Sequence, residues 1–197
     1  MSQTDIADAK NAVRRGEIII YPTDTLYALG ADIFNKTAVE AVFRLKHRPS
    51  LQPLPVAVHS IPALEALAEL NPQARRLATR FLPGPLTLVL KKKPHLPPLI
   101  TSGQETIAIR IPNDPTALEL LSATGPLTAT SANLHDQRTP ATVPEIRHQL
   151  TAPTLIALDR GPRTQTASAI IDLTTTPPRI LRHGAIPEHD LTEALHG

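Results

Sequence analysis

Cysteine and tryptophan are absent from this chain, methionine occurs once, and aromatic residues make up only 3% of it. Without cysteine there are no disulfides, thiolate metal ligands or thiol nucleophiles, and the composition is silent on redox compartment. Few aromatics argue against a single-strand binder built on stacking platforms. They also leave the core to Leu, Ile, Val and Ala. No apolar run approaches the length needed to cross a bilayer. The opening MSQTDIADAK lacks the basic end and apolar centre of a secretory signal. The expectation is a soluble, cytoplasmic protein with no membrane association. Common chemical signatures are missing too. There is no GxxxxGK[ST] phosphate loop, no GxGxxG, no HExxH and no GxSxG elbow. The eight histidines are dispersed without metal-ligand spacing.

What is present suffices for a folded domain. The 197 residues, 41% of them apolar, allow one core burying about 70% of the unfolded surface. No composition break divides the chain, so residues 1–197 read as a single domain. Net charge is +2 with histidine neutral and the pI about 9.2, a weak pointer to nucleic acid.

The most informative stretch is IIIYPTDTLYALG, Ile18 to Gly30. Its β-branched start is buried-strand language. Pro22 stops ladder pairing, and Thr23, Asp24 and Thr25 crowd two hydroxyls and a carboxylate onto the strand end. Gly30 suits a closing tight turn. Open α/β sheets place ligands at such strand ends, although a TDT turn can equally be a cap with a hydrogen-bonded loop.

Around it, spacing predicts helices over 4–15, 37–46, 60–67, 71–81, 114–121 and 142–150, and from Glu188 onward. Asn35 is a candidate N-cap, and Asn71-Pro72 and Asp114-Pro115 read as cap followed by first-turn proline. Thr142 and Glu145 form a candidate capping box. Strands are expected at 54–58, 86–90, 106–111, 127–130, 155–158, 169–173 and 180–181. The sum is an α/β fold, a twisted mixed open sheet flanked by helices, with a basic, hydroxyl-lined cleft.

Several polar groups could carry chemistry. Lys46 and Arg48 stand two apart at a helix end, where positive charge offsets the dipole or converges on a polyanion. Arg110 falls on the opposite strand face from Ile107, Ile109 and Ile111, so it either reaches solvent or meets an anion. TATSAN, Thr128 to Asn133, crowds hydroxyls at a strand end. Lys91, Lys92 and Lys93 read as a solvated strand end or an RNA-attracting patch.

In order, YPTDTLYALG, KHRPSLQPL, FLPGPLTLVL, IAIRIP, TATSAN, ASAIID and ILRHGAI resemble the motifs of the YrdC family. Its members are threonylcarbamoyl-AMP synthases, which begin N6-threonylcarbamoyladenosine synthesis on tRNA, and this chain resembles their short single-domain form. The resemblance implies a nucleotidyltransferase that makes threonylcarbamoyl-AMP and pyrophosphate from L-threonine, bicarbonate and ATP, with Mg2+ accompanying ATP. It further implies a partner threonylcarbamoyl-transferase complex acting on tRNA position 37, and at most a weak direct tRNA contact. Carried over residue by residue, Lys46 and Arg48 are the catalytic cations. Lys46, Arg48, Gln52, Arg110, Ser131, Asn133, Thr139 and Arg182 bind ATP, Thr25 and Ser168 bind threonine, and no protein metal site is implied. Thr87 is a further candidate lining residue. The chain departs from the family pattern at Ala28, Ala57 and Ala169, and at His135-Asp136, where serine-glycine is usual. From a different class, the alternative is an RNA-binding or ribosome-associated protein using the same basic cleft.

Overall fold

A computed structural model describes residues 5–196. Helix α1 (Ile6–Arg14) is N-capped by Asp5, whose carboxylate accepts the Asp8 amide at 2.8 Å. Left-handed Gly16 follows, and the chain enters β1 (Ile19–Tyr21). After the PTDT turn, β2 (Ala28–Gly30) runs back antiparallel, pairing Gly30 with Ile19. Gly30 is thus inside a strand and not at the expected turn. A Cβ there would lie 2.9 Å from Tyr21 Cε1 and 3.1 Å from Ile19 Cγ1, so close packing against the neighbouring strand accounts for the glycine.

Next come α2 (Lys36–Lys46), β3 (Val56–Ala57), α3 (Ile61–Leu67), α4 (Pro72–Phe81), β4 (Leu86–Lys91) and β5 (Thr106–Arg110). Then α5 (Pro115–Thr124), β6 (Leu127–Thr128), β7 (Thr130–Ser131), α6 (Val143–Gln149) and β8 (Ile156–Ala157) follow. The last elements are β9 (Ala169–Asp172), β10 (Arg179–Arg182) and α7 (Glu188–His196). The local cap signals hold. Asn35, Asn71 and Asp114 each accept an amide three residues on, and Thr142 with Glu145 forms the capping box. Each cap satisfies a donor that the first helical turn leaves open.

The fold is α/β with mixed pairing, and its strands are shared between two sheets. One has the order β7-β2-β1-β8, the other β10-β9-β4-β5-β3-β6. The run expected as one strand over 127–130 divides between them. β6 joins β3, β7 joins β2, and between them the Ala129 amide donates to Pro55 O.

The six-stranded sheet has two unlike faces, because strand side chains alternate. Leu86, Leu88 and Leu90 of β4, Ile107 and Ile109 of β5, and Ala169 and Ile171 of β9 enter the main core, which also holds Leu64, Leu77 and Leu191 from the helices. The residues between them, Thr87 and Val89, Ala108 and Arg110, and Ile170, face a cavity. A second core joins α1 and α5 through Ala9, Ala12, Leu120 and Leu121 against Ile19 and Tyr21.

Candidate active site

The cavity has a volume of about 460 Å³. Its floor is the free face of the six-stranded sheet, and its walls are the PTDT turn, the SAN loop and the end of β10. Thr23, Thr25, Thr87, Thr130, Ser131 and Ser168 contribute hydroxyls, while Arg48, Arg110 and Arg182 contribute guanidiniums. No aspartate or glutamate is among the residues described in its lining. Such a set favours an anion that also accepts or donates hydrogen bonds.

The PTDT turn is held by its own hydroxyls. Thr23 Oγ1 donates to Leu26 O at 2.6 Å and accepts the Thr25 and Leu26 amides at 3.2 Å each. This arrangement presents Thr25 Oγ1 to Arg110 Nη1, which donates to it at 3.1 Å, and puts Asp24 Oδ1 2.5 Å from Arg110 Nη2. Arg110, at 6% exposure, therefore meets a carboxylate of its own chain. Burial lowers its pKa from the ordinary value and Asp24 opposes the shift. Asp24 was legible as a turn residue, but its partnership with Arg110 carried no sequence signal.

Across the floor, Ser168 Oγ and Thr87 Oγ1 are hydrogen-bonded at 2.9 Å, and both side chains are buried. Arg182 clamps this pair. Its Nη2 donates to Ser168 O at 2.8 Å and to Ser168 Oγ at 3.0 Å. The close approach continues at Gly184, where a Cβ would lie 2.1 Å from the Ala169 amide nitrogen. Glycine lets β10 close over the start of β9.

In the SAN loop, Asn133 is a hub. Its Oδ1 accepts from Ser131 Oγ at 2.5 Å and Thr139 Oγ1 at 3.1 Å, while its Nδ2 donates to Leu134 O and Gln137 O. Asp136, where glycine is usual in the resembling motif, takes a left-handed φ of 59°, which Asp tolerates better than most residues. His135 keeps the turn by donating its amide to Lys46 O at 2.8 Å. Ala57 and Ala169 are fully buried in β3 and β9.

Two expected site residues lie elsewhere. Gln52 is exposed and outside the lining, offering only its carbonyl, which accepts from Arg48 Nε at 3.3 Å. Lys46 is 1% exposed and also outside the lining. The expected convergence of Lys46 and Arg48 fails because His47, between them, is left-handed at φ 51°. The two cations diverge. Arg48 faces the cavity with Nη2 on Pro53 O at 3.0 Å, and the Lys46 ammonium turns into the protein behind the SAN loop. Thr25, Arg48, Arg110, Ser131, Asn133, Thr139, Ser168 and Arg182 are brought together around one cavity. Sequence reading passed over Thr106, Gln104, Gln137 and Tyr27 in the lining, although period-two alternation through Ala108 and Arg110 points to Thr106.

Two of the lysine triplet's charges are met by carboxylates. Lys91 pairs with Glu69 at 3.7 Å and Lys92 with Glu105 at 3.6 Å. No group of three or more metal-ligating side chains occurs among the described residues, nor does a helix long and apolar enough to cross a membrane.

The fold and cavity define a class: an α/β protein with an anion-facing, hydroxyl-lined cleft on the free face of a mixed sheet. A family model described as Sua5_yciO_yrdC, telomere recombination, matches residues 11–184. The chain is 38% identical over 196 residues to the Bacillus subtilis threonylcarbamoyl-AMP synthase, covering 98% of this chain and 56% of that protein. It matches the crystal structure of Pyrococcus abyssi Sua5 complexed with L-threonine at TM-score 0.90 and 36% identity, over 96% of this chain and 57% of that one. The structure of Escherichia coli YciO matches at TM-score 0.83 and 32% identity, over 92% and 90% of the two chains. The chain belongs to the YrdC/Sua5 family, and it spans 56% of the length of the Pyrococcus abyssi and Bacillus subtilis relatives and 88% of a Mycobacterium tuberculosis one.

Proposed function

We propose that this chain is an L-threonylcarbamoyladenylate synthase, joining L-threonine, bicarbonate and ATP into threonylcarbamoyl-AMP and pyrophosphate. The observation that carries the reading is the grouping of Arg48, Arg110 and Arg182 with the Thr25 and Ser168 hydroxyls around one cavity that has no carboxylate in its described lining. The Pyrococcus relative's complex with L-threonine supports the same substrate.

In this scheme the threonine amine attacks the bicarbonate carbon, a C–O bond breaks and water leaves, giving an N-carboxylate. That carboxylate attacks the α-phosphorus of ATP, and pyrophosphate leaves. Thr25 and Ser168 hold the amino acid. Arg48 and Arg182, with Ser131 and Thr139, offset phosphate charge as it moves from the α-phosphorus to the leaving group. Arg110, its charge met by Asp24, ties the PTDT turn to the cavity floor and so stiffens the site. Magnesium accompanying ATP would supply further positive charge to the phosphates, and the described cavity lining would offer it hydroxyls. The product passes to a threonylcarbamoyl-transferase complex for tRNA position 37.

Incubating the purified chain with MgATP, bicarbonate and L-threonine tests this reading. Threonylcarbamoyl-AMP is identified by mass and pyrophosphate is measured. Omitting bicarbonate or threonine abolishes both, whereas equal turnover with any amino acid would sink the assignment.

A further inference from the structure

We infer that Lys46 is a positioning residue, which locks the Ser131–Asn133 wall of the cavity from behind and does not touch the nucleotide. The inference rests on the reading above only in taking that wall to face the ligand.

Lys46 ends α2 with its side chain sealed from solvent. Its Nζ donates to Ser131 O and to Asn133 O at 2.6 Å each, and Asn133 Oδ1 lies at 3.5 Å. An ammonium has three N–H donors, so these acceptors use all of them. The other ends of the same two peptide planes are also held. Ala132 N–H donates to Tyr27 O at 2.9 Å, and Leu134 N–H to Gln149 Oε1 at 3.0 Å. The 131–132 and 133–134 peptides are therefore pinned at both ends, with Lys46 the side-chain pin on each carbonyl and the Asn133 amide a second donor to Ser131 O at 3.0 Å. The Lys46 carbonyl adds a further tie through the His135 amide.

What this fixes is the direction of two side chains. With both peptides immobile, Ser131 Oγ and Thr139 Oγ1 meet at Asn133 Oδ1 on the cavity side. For Lys46 to reach a phosphate, Asn133 O would lose its described donor and Ser131 O would be left with the Asn133 amide alone, so the 133–134 peptide above all would be free to rotate. Arg48 needs no such rearrangement, because it already lies in the lining.

The test uses the intact chain and Lys46→Met, which keeps the stem and removes the ammonium. Amide exchange by NMR is expected to accelerate at least tenfold at Ala132 and Leu134, with β4 and β5 amides unchanged. In kcat/KM for ATP, Lys46→Met with Asn133→Ala should cost no more than about threefold beyond the worse single variant. Lys46→Met with Arg48→Ala should cost close to the product of the two losses. Lys46→Arg should not rescue, because a planar guanidinium does not fit a cage made for a compact ammonium. Unchanged exchange together with lost ATP binding, or ATP kinetics restored by Lys46→Arg, would make Lys46 a phosphate contact and overturn the inference. If Lys46→Met does not fold, the wild-type 15Nζ signal decides. On addition of a nonhydrolysable MgATP analogue it should shift less than Arg48 Nε, and a larger shift overturns the inference. Absence of threonine-dependent product from the wild type removes the enzymatic reading alone, since loop exchange still reports on Lys46.

Discussion

Arg110 Nη2 and Asp24 Oδ1 meet at 2.5 Å across 86 residues of chain, joining the end of β5 to the PTDT turn. Both side chains are largely buried, at 7% and 12% exposure. Such a pair is expensive to break from one side only, because the remaining charge stays desolvated. Asp24→Ala should therefore destabilise the chain by about 3–5 kcal/mol, read from urea unfolding midpoints. Asp24→Asn keeps an acceptor and should cost less. A loss below about 1 kcal/mol for Asp24→Ala, the range of an exposed pair, would show that Arg110 is satisfied without it.

Substrate choice should run through two hydroxyls. Thr25 Oγ1 accepts from Arg110, and Ser168 Oγ is shared between Thr87 and Arg182. A site that hydrogen-bonds a hydroxyl rejects the analogue lacking it, because its own polar group is left unpaired. Threonine should beat valine by at least roughly a hundredfold in kcat/KM, and Thr25→Val and Ser168→Ala should each narrow that ratio. If Thr25→Val lowers the melting temperature and leaves the ratio intact, Thr25 is only a turn residue.

The lysine triplet separates enzyme from RNA binder. Lys91 sits in a surface ion pair with Glu69, worth no more than about 1 kcal/mol, and the largely covered Lys92 pairs with the exposed Glu105. Replacing Lys91, Lys92 and Lys93 with alanine should leave threonine-dependent turnover within about twofold of wild type, a barrier change of under 1 kcal/mol. Arg48→Ala should cost roughly ten- to a thousandfold, as a charged transition-state contact does. The opposite pattern, with RNA retention in a gel shift lost in the triple variant and turnover unaffected by Arg48→Ala, would favour the binding protein.

Lys46 gives stability a pH dependence. Burial, then the charge of Arg48, pulls its pKa down to about 7. Between about 7 and the ordinary 10.4 the unfolded chain holds a proton that the folded chain has released, so unfolding free energy rises with pH. The gain is absent below pH 7 and approaches, at most, about 1.4 kcal/mol per pH unit within the window. A neutral amine keeps two N–H donors, enough for Ser131 O and Asn133 O. Subtracting the Lys46→Met curve from wild type isolates the contribution, and parallel curves from pH 6 to 9 would refute it.

Gly184→Ala tests the seam between β10 and β9. Its methyl would press on the Ala169 amide and Ser168 backbone, which cannot yield as a side chain tip would. Overpacking of this kind costs about 1–3 kcal/mol. The Arg182 clamp on Ser168 should loosen with it, raising the KM for threonine more than the same substitution at Gly103, where no atom lies within 4 Å of the added carbon.

Legibility followed locality. Asn35, Asn71-Pro72, Asp114-Pro115 and the Thr142–Glu145 box could be read because each cap is settled within four residues. Alternation likewise placed Arg110 off the core face of β5. What escaped depends on distant or backbone facts. The Asp24 partner of Arg110 arrives through tertiary folding. The divergence of Lys46 from Arg48 hangs on the left-handed φ of His47, and few sequence cues mark a histidine for that conformation. Gly30 suits a turn on sequence alone, because a glycine at a strand end does not say whether φ or a neighbouring tyrosine demands it.

Along β4, β5 and β9, the same strands carry the hydrophobic core on one face and the cavity floor on the other. Chemistry and stability are thus written on alternate letters of the same words. Val89, Ala108 and Ile170 line the cavity and can be changed to reshape it, while Leu88, Ile109 and Ile171 keep the sheet on its helices. A scaffold divided in this way can change what it accepts one floor position at a time, each step leaving the fold beneath it standing.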